Sequence, residues 1–94
     1  MNDELLDRLW EVYCKVYYKG NDESYMSDVY LSFKDIYDKD LNCLIHTVSK
    51  AYLVGVIGVK NNLLLNQLIN SDDISNHIIA FEMIYKHYLD NNKK

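Results

Sequence analysis

The sequence predicts an all-α fold, a small four-to-five-helix bundle with a buried central helix, on three observations. Apolar residues recur every three or four positions in several separate segments, the spacing of one helix face. No other segment alternates with period two, so a strand in the middle of the chain would lack a partner. Residues 41–71 contain no Asp or Glu, while the flanks carry every acid of the chain, so charged neighbours should enclose an apolar middle.

The first helix is expected over residues 3–19. Asn2 or Asp3 can cap it, acids fill its first turn, and Gly20 ends it, with Lys15 and Lys19 near the negative end of its dipole. Its apolar residues form two seams. Leu5, Leu9, Val12 and Val16 are aliphatic and should face the core; Leu6, Trp10, Tyr13 and Tyr17 are mostly aromatic. Together they make a wider stripe than one neighbouring helix could cover. Residues 20–24 read as a turn-forming linker.

The second helix should run over 25–38, where Met26, Val29, Tyr30, Phe33, Ile36 and Tyr37 repeat every three or four positions. Asp28, Lys34, Asp35 and Asp38 lie opposite, and Asp40 offers the next cap. The central helix is then expected over 41–59. It would carry Leu41, Leu44, Ile45, Val48, Tyr52, Val56 and Val59 on one stripe and Ala51, Gly55 and Gly58 on a line of small residues. Residues 52–59 also read as a doubly buried strand, since two mid-helix glycines cost about 1 kcal/mol each relative to Ala. The missing partner strand favours the helix.

Lys60, Asn61 and Asn62 mark a break or sharp kink before a short helix over 63–69, ended by Asn70. Ser71, Asp72 and Asp73 are a cap signal for a last helix over 73–90. Ile74, Ile78, Phe81, Tyr85 and Tyr88 follow at 4-3-4-3 spacing, with Ile84 and Leu89 alongside.

Ninety-four residues make one domain, expected over 1–94, with a single modest core. The first 47 residues hold ten acids against five basic residues, and the last 47 hold four against five. A net charge of −4 concentrated in this way repels nucleic acid and anionic membranes and favours a basic partner. An acidic start without a basic, apolar leader, and only two cysteines (Cys14 and Cys43), give the expectation of a cytoplasmic protein with reduced thiols. No uncharged run approaches the roughly 20 residues of a membrane span. Ten Asn, nine Tyr, one Arg and no Pro are the residue usage of an AT-rich genome, which weakens any argument from the tyrosine count alone.

The motifs for chemistry are weak. Cys43 and His46 stand three apart on one helix face, but neither belongs to a CxxC or HxxxH pattern that would complete a metal site with Cys14, His77 or His87. The carboxylate pairs Asp3/Asp7, Asp7/Glu11 and Asp35/Asp38 fall on polar helix faces, where a solvated surface is the ordinary explanation. Residues 63–89 have the outline of a helix-turn-helix, yet the second helix opens on Asp72 and Asp73 and has no Lys or Arg before Lys86. No catalytic residue, metal, cofactor or direct nucleic-acid contact is therefore expected.

The aromatic seam is the candidate surface. Trp10, Tyr13 and Tyr17, with Tyr30 and Tyr37 and the acids Asp7 and Glu11, could form a partner-binding face, because Trp and Tyr give large contact area at low entropic cost. The expectation is a non-enzymatic protein that inhibits or sequesters a basic protein partner, with the profile of an immunity protein, an antitoxin or a phage-encoded inhibitor. The alternative is a self-associating, homodimeric regulatory or nucleic-acid-linked protein whose aromatic seam meets its own copy.

Overall fold

A computed structural model describes residues 4–17 and 28–92, and over these the chain is all-α. The helices are α1 (Glu4–Tyr17), α2 (Asp28–Lys39), α3 (Leu41–Tyr52), α4 (Leu63–Ile69) and α5 (Ile74–Asn92). The expected cap at Asn2 or Asp3, the stop at Gly20, the linker over 20–24 and Met26 lie outside the described residues.

Local capping sets the helix starts. Asp40, the single residue between α2 and α3, has φ −151° and accepts the Cys43 N–H at 3.1 Å through its side chain. Asn62 caps α4 in the same way, accepting the Leu65 N–H at 3.0 Å. At the start of α5, Asp73 accepts the Ser75 N–H at 2.9 Å, while the Ser71 hydroxyl accepts the Asp73 N–H at 3.0 Å.

The spine of the core is α3, whose Leu44, Ile45, Val48, Ser49 and Tyr52 are all buried. Both seams of α1 contribute: Leu9 and Val12 from the aliphatic seam, Leu6 and Trp10 from the other. Ala80, Phe81 and Ile84 of α5 close over the spine, with Leu65 and Ile69 of α4. From α2 only Phe33 is buried.

The central helix is shorter than expected, and its far end is not buried. It stops at Tyr52, and Leu53–Ile57 winds into one π-turn in which the Gly58 N–H donates to the Leu53 carbonyl at 2.6 Å. Gly58 then takes φ +92°, which ends the helical ladder, and Val59–Asn61 makes a 3₁₀ turn. Asn61 Nδ2 donates to the Ile57 carbonyl at 2.7 Å, satisfying a group near the end of the ladder. Val54 and Val56 stay 57% and 41% exposed. Lack of acids marked the block as the apolar middle of the chain, but burial needs neighbours, and past Leu53 too few helices remain to supply them. On the line of small residues, Gly55 lies beside a side chain of α1: a Cβ there would stand 3.7 Å from Val16 Cγ1.

This break has a topological role. Asn42 of α3 meets His77 of α5, and Tyr52 meets His87 ten residues further along each helix. The two helices therefore run in the same direction, which requires a crossover to bring the chain back. The π-turn, Gly58 and α4 are that crossover, delivering Ser71 beside His77 at the start of α5.

The buried face of α5 is also rotated from the expected one. Ile74 and Ile78 are exposed, Tyr85 and Tyr88 half-buried, and the buried line is His77, Ala80, Phe81 and Ile84. His77 can be buried because both ring nitrogens are engaged, Nδ1 with Asn42 Oδ1 at 2.8 Å and Nε2 with the Ser71 carbonyl at 2.5 Å.

Candidate protein-binding surface

The structure divides the seven residues of the expected surface. Trp10 is fully buried, its ring 5.6 Å from Tyr13, 5.0 Å from Tyr30 and 5.1 Å from Phe33. It is a core ring and not a surface anchor. The reason is the width of the α1 stripe: several helices pack on it, and its largest ring is enclosed by Tyr13, Tyr30 and Phe33. Tyr13 is half-buried over the same cluster, 5.0 Å from Phe33, and the Tyr17 ring lies tilted against it at 4.6 Å with half of its surface in solvent. Tyr30 and Tyr37 are half-buried against the core.

The two acids behave differently. Asp7 is exposed. Glu11, half-buried, accepts the Tyr85 hydroxyl at 3.1 Å and so belongs to the α1–α5 contact, on another side of α1 from the aromatic cluster. Burial first, and then the Glu11 carboxylate, push the Tyr85 phenol above its ordinary range, so it remains a donor at neutral pH.

What the structure adds is a groove between α2 and α3, of about 420 Å³. Phe33 and Leu44 form its floor, Val29 and Ile36 its α2 wall, and Cys43 and Thr47 its α3 wall. Asp28 stands at one end and Tyr13 closes it toward α1. The signal was present in the sequence. Val29 and Ile36 lie on one edge of the α2 stripe, whose centre is Phe33, and an edge position is where the cover of a single neighbouring helix runs out. They are 40% and 43% exposed.

The outer side of α2 is acidic. Asp28, Asp35 and Asp38 stand there with two lysines, Lys39 paired to Asp35 at 3.2 Å and Lys34 to Asp38 at 3.6 Å. These are exposed i,i+4 pairs, worth a few tenths of a kcal/mol each, and they leave the segment net negative. Around the end of the aromatic cluster, Tyr17 lines a shallow depression with Lys50, Ala51 and the exposed Val54.

Cys43 and His46 do not act together. Cys43 is exposed in the α2–α3 groove, whereas the His46 ring lies 5.3 Å from that of His77. Among the described residues, no three His, Cys, Asp or Glu side chains converge as a metal site, and no helix is long and apolar enough to cross a membrane. Comparison with protein-family models, with curated proteins and with solved structures finds no match for this chain.

Proposed function

We propose that the protein is a small non-enzymatic binding module that captures a basic segment of a partner protein in the α2–α3 groove and blocks or sequesters that partner. An immunity protein, an antitoxin or a phage-encoded inhibitor works in this manner. The single observation that supports the reading is the groove itself: exposed Val29 and Ile36 beside a negatively charged helix surface, with Tyr13 at the edge. An apolar trough gives a partner side chain somewhere to bury, and surrounding carboxylates speed the approach of a basic segment.

Cys43 makes the proposal testable, because it lines the groove and is exposed while Cys14 is buried. A photo-crosslinker attached at Cys43 in the intact protein should capture a basic protein from the source cell. The capture should be competed by unlabelled protein and lost in the Ile36→Asp variant. Equal capture from a crosslinker at Ser75→Cys in a Cys43→Ser background, on exposed α5 surface, would mean that the groove is not the site. A mobility shift with mixed-sequence DNA at low salt should show no complex; a clear shift would overturn the reading.

A further inference from the structure

A second face is open on the other side of the molecule, along α5. There Leu5 of α1, Leu41 and Ile45 of α3, and α5 itself enclose an apolar groove of about 490 Å³. The α5 wall presents Ile74, Ile78 and Leu89, which are 46%, 43% and 42% exposed, with Phe81 at the floor and Tyr85 half-buried. Three large aliphatic side chains in one line on one helix are more than the scattered apolar residues of an ordinary surface.

The intervals along this ridge have a symmetry. From Ile74 to Ile78 is four residues and from Ile78 to Phe81 three; from Glu82 to Tyr85 is three and from Tyr85 to Leu89 four. Six of the seven α5 residues that line the groove are thus placed symmetrically about a midpoint between residues 81 and 82, Lys86 being the exception. Two copies of α5 laid antiparallel on a two-fold axis at that midpoint would set Ile74 against Leu89 and Ile78 against Tyr85, each contact occurring twice. This is the condition that an isologous interface imposes, residue i meeting j while j meets i.

The charges obey the same symmetry. Arg8 lies over the Tyr85 ring, 5.3 Å from its centroid. Tyr85 would meet Ile78 of the second copy, and Glu82 lies one turn on from Ile78 on the same helix face. Arg8 of each copy thus comes opposite Glu82 of the other. Arg8 also pairs with Glu4 of its own helix at 2.7 Å, so with Glu82 and Lys86 the charges at this face balance, and it lacks the excess of acids that keeps two copies of a −4 chain apart elsewhere.

We infer that the protein forms a two-fold homodimer through antiparallel packing of α5, with the walls from α1 and α3 widening the contact. From Ile74 to Leu89 the ridge is about 22 Å long at helical rise, and the half-buried Leu5 and Leu41 flank it. The α2–α3 groove remains outside this contact. Of the aromatic seam, expected as the self-association surface, Trp10 is taken up by packing against α2 while Tyr17 stays exposed, and the ridge on α5 is the longer apolar face.

Sedimentation velocity on the full-length chain, across the micromolar range, tests this. The expected result is a reversible species of twice the 11.1 kDa chain mass. Ile78→Glu, at an exposed position, should weaken dimerisation by at least about thirtyfold while leaving the far-UV circular dichroism unchanged. The charge pair gives an independent reading. Glu82→Arg alone and Arg8→Glu alone should each dimerise weakly, because each places like charges together twice. Mixed in equal amounts, the two variants should recover association, since both contacts between unlike chains become Arg–Glu. A chain that stays monomeric at every concentration overturns the proposal, as would occupation of the ridge by a foreign helix. So does a dimer indifferent to Ile78→Glu, or a mixture of charge variants with no recovery.

Discussion

At the scale of single residues, the fate of Trp10 and Tyr17 illustrates what decides burial. They sit seven positions apart on one seam of α1, yet Trp10 has no exposed surface and Tyr17 is 53% exposed. Trp10→Ala should therefore cost about 3–5 kcal/mol, a large part of the 5–15 kcal/mol that holds a domain together. Tyr17→Ala should stay within about 1 kcal/mol. Urea unfolding of the two variants checks this; equal midpoints would place Trp10 outside the core. His46 sets a pH dependence. Burial first, then the charges of His77 and Lys50, lower its pKa from the ordinary 6.5. The folded state thus holds this proton less tightly than the unfolded chain, so the unfolded chain binds more protons below pH 6.5. Stability contributed here is complete above that pH and is lost as the pH falls through it toward the lowered folded value. Urea midpoints measured on either side should fall on the acid side, and His46→Gln should reduce the fall. An identical slope in that variant would remove His46 as the cause.

At the scale of elements, the two glycines of the central block should respond with opposite signs. Gly58 has φ +92°, and a Cβ there would come 3.0 Å from Asn61 Nδ2, the atom that donates to the Ile57 carbonyl. Gly58→Ala should destabilise by about 1–2 kcal/mol through backbone strain, with further loss if Asn61 gives up its bond. Gly55 has ordinary helical freedom, and its added methyl would meet Val16 at 3.7 Å, a normal contact distance. Gly55→Ala should be neutral or stabilising by up to about 1 kcal/mol, since Ala loses less entropy in a helical turn. Thermal melts of the pair decide it. Matching losses at both sites would show that the segment is not divided at Gly58.

At the scale of the whole molecule, the fold separates two open faces. α3 lies in the middle and contributes to both: Cys43, Leu44 and Thr47 to the α2–α3 groove, Leu41 and Ile45 to the α5 groove. Ile36 and Ile78 are on different faces, so substitutions at them should act independently. Ile36→Asp should abolish partner capture without changing the sedimentation of the free protein. Ile78→Glu should do the reverse. Loss of both properties in either variant, with folding intact, would mean that the faces are coupled and that partner capture needs the dimer.

The starts of α3, α4 and α5 were legible because they are local, whereas the central helix ends at Tyr52 and not at the expected 59. Asp40, Asn62 and Asp73 each satisfy a backbone N–H within three residues of themselves, so the chain alone specifies them. The all-α class followed from the periods of three and four. The rest depended on neighbours. Apolar spacing defines a stripe but not which part of it other helices will cover. For this reason Trp10 went inward, Val29 and Ile36 were left at an edge, and the ridge of α5 stayed open beside a buried line that includes His77. A histidine becomes a core residue only when the fold brings Asn42 and the Ser71 carbonyl to its two nitrogens. Periodicity and caps belong to the sequence; burial belongs to the assembled helices, because it is a count of neighbours and no residue carries that count alone.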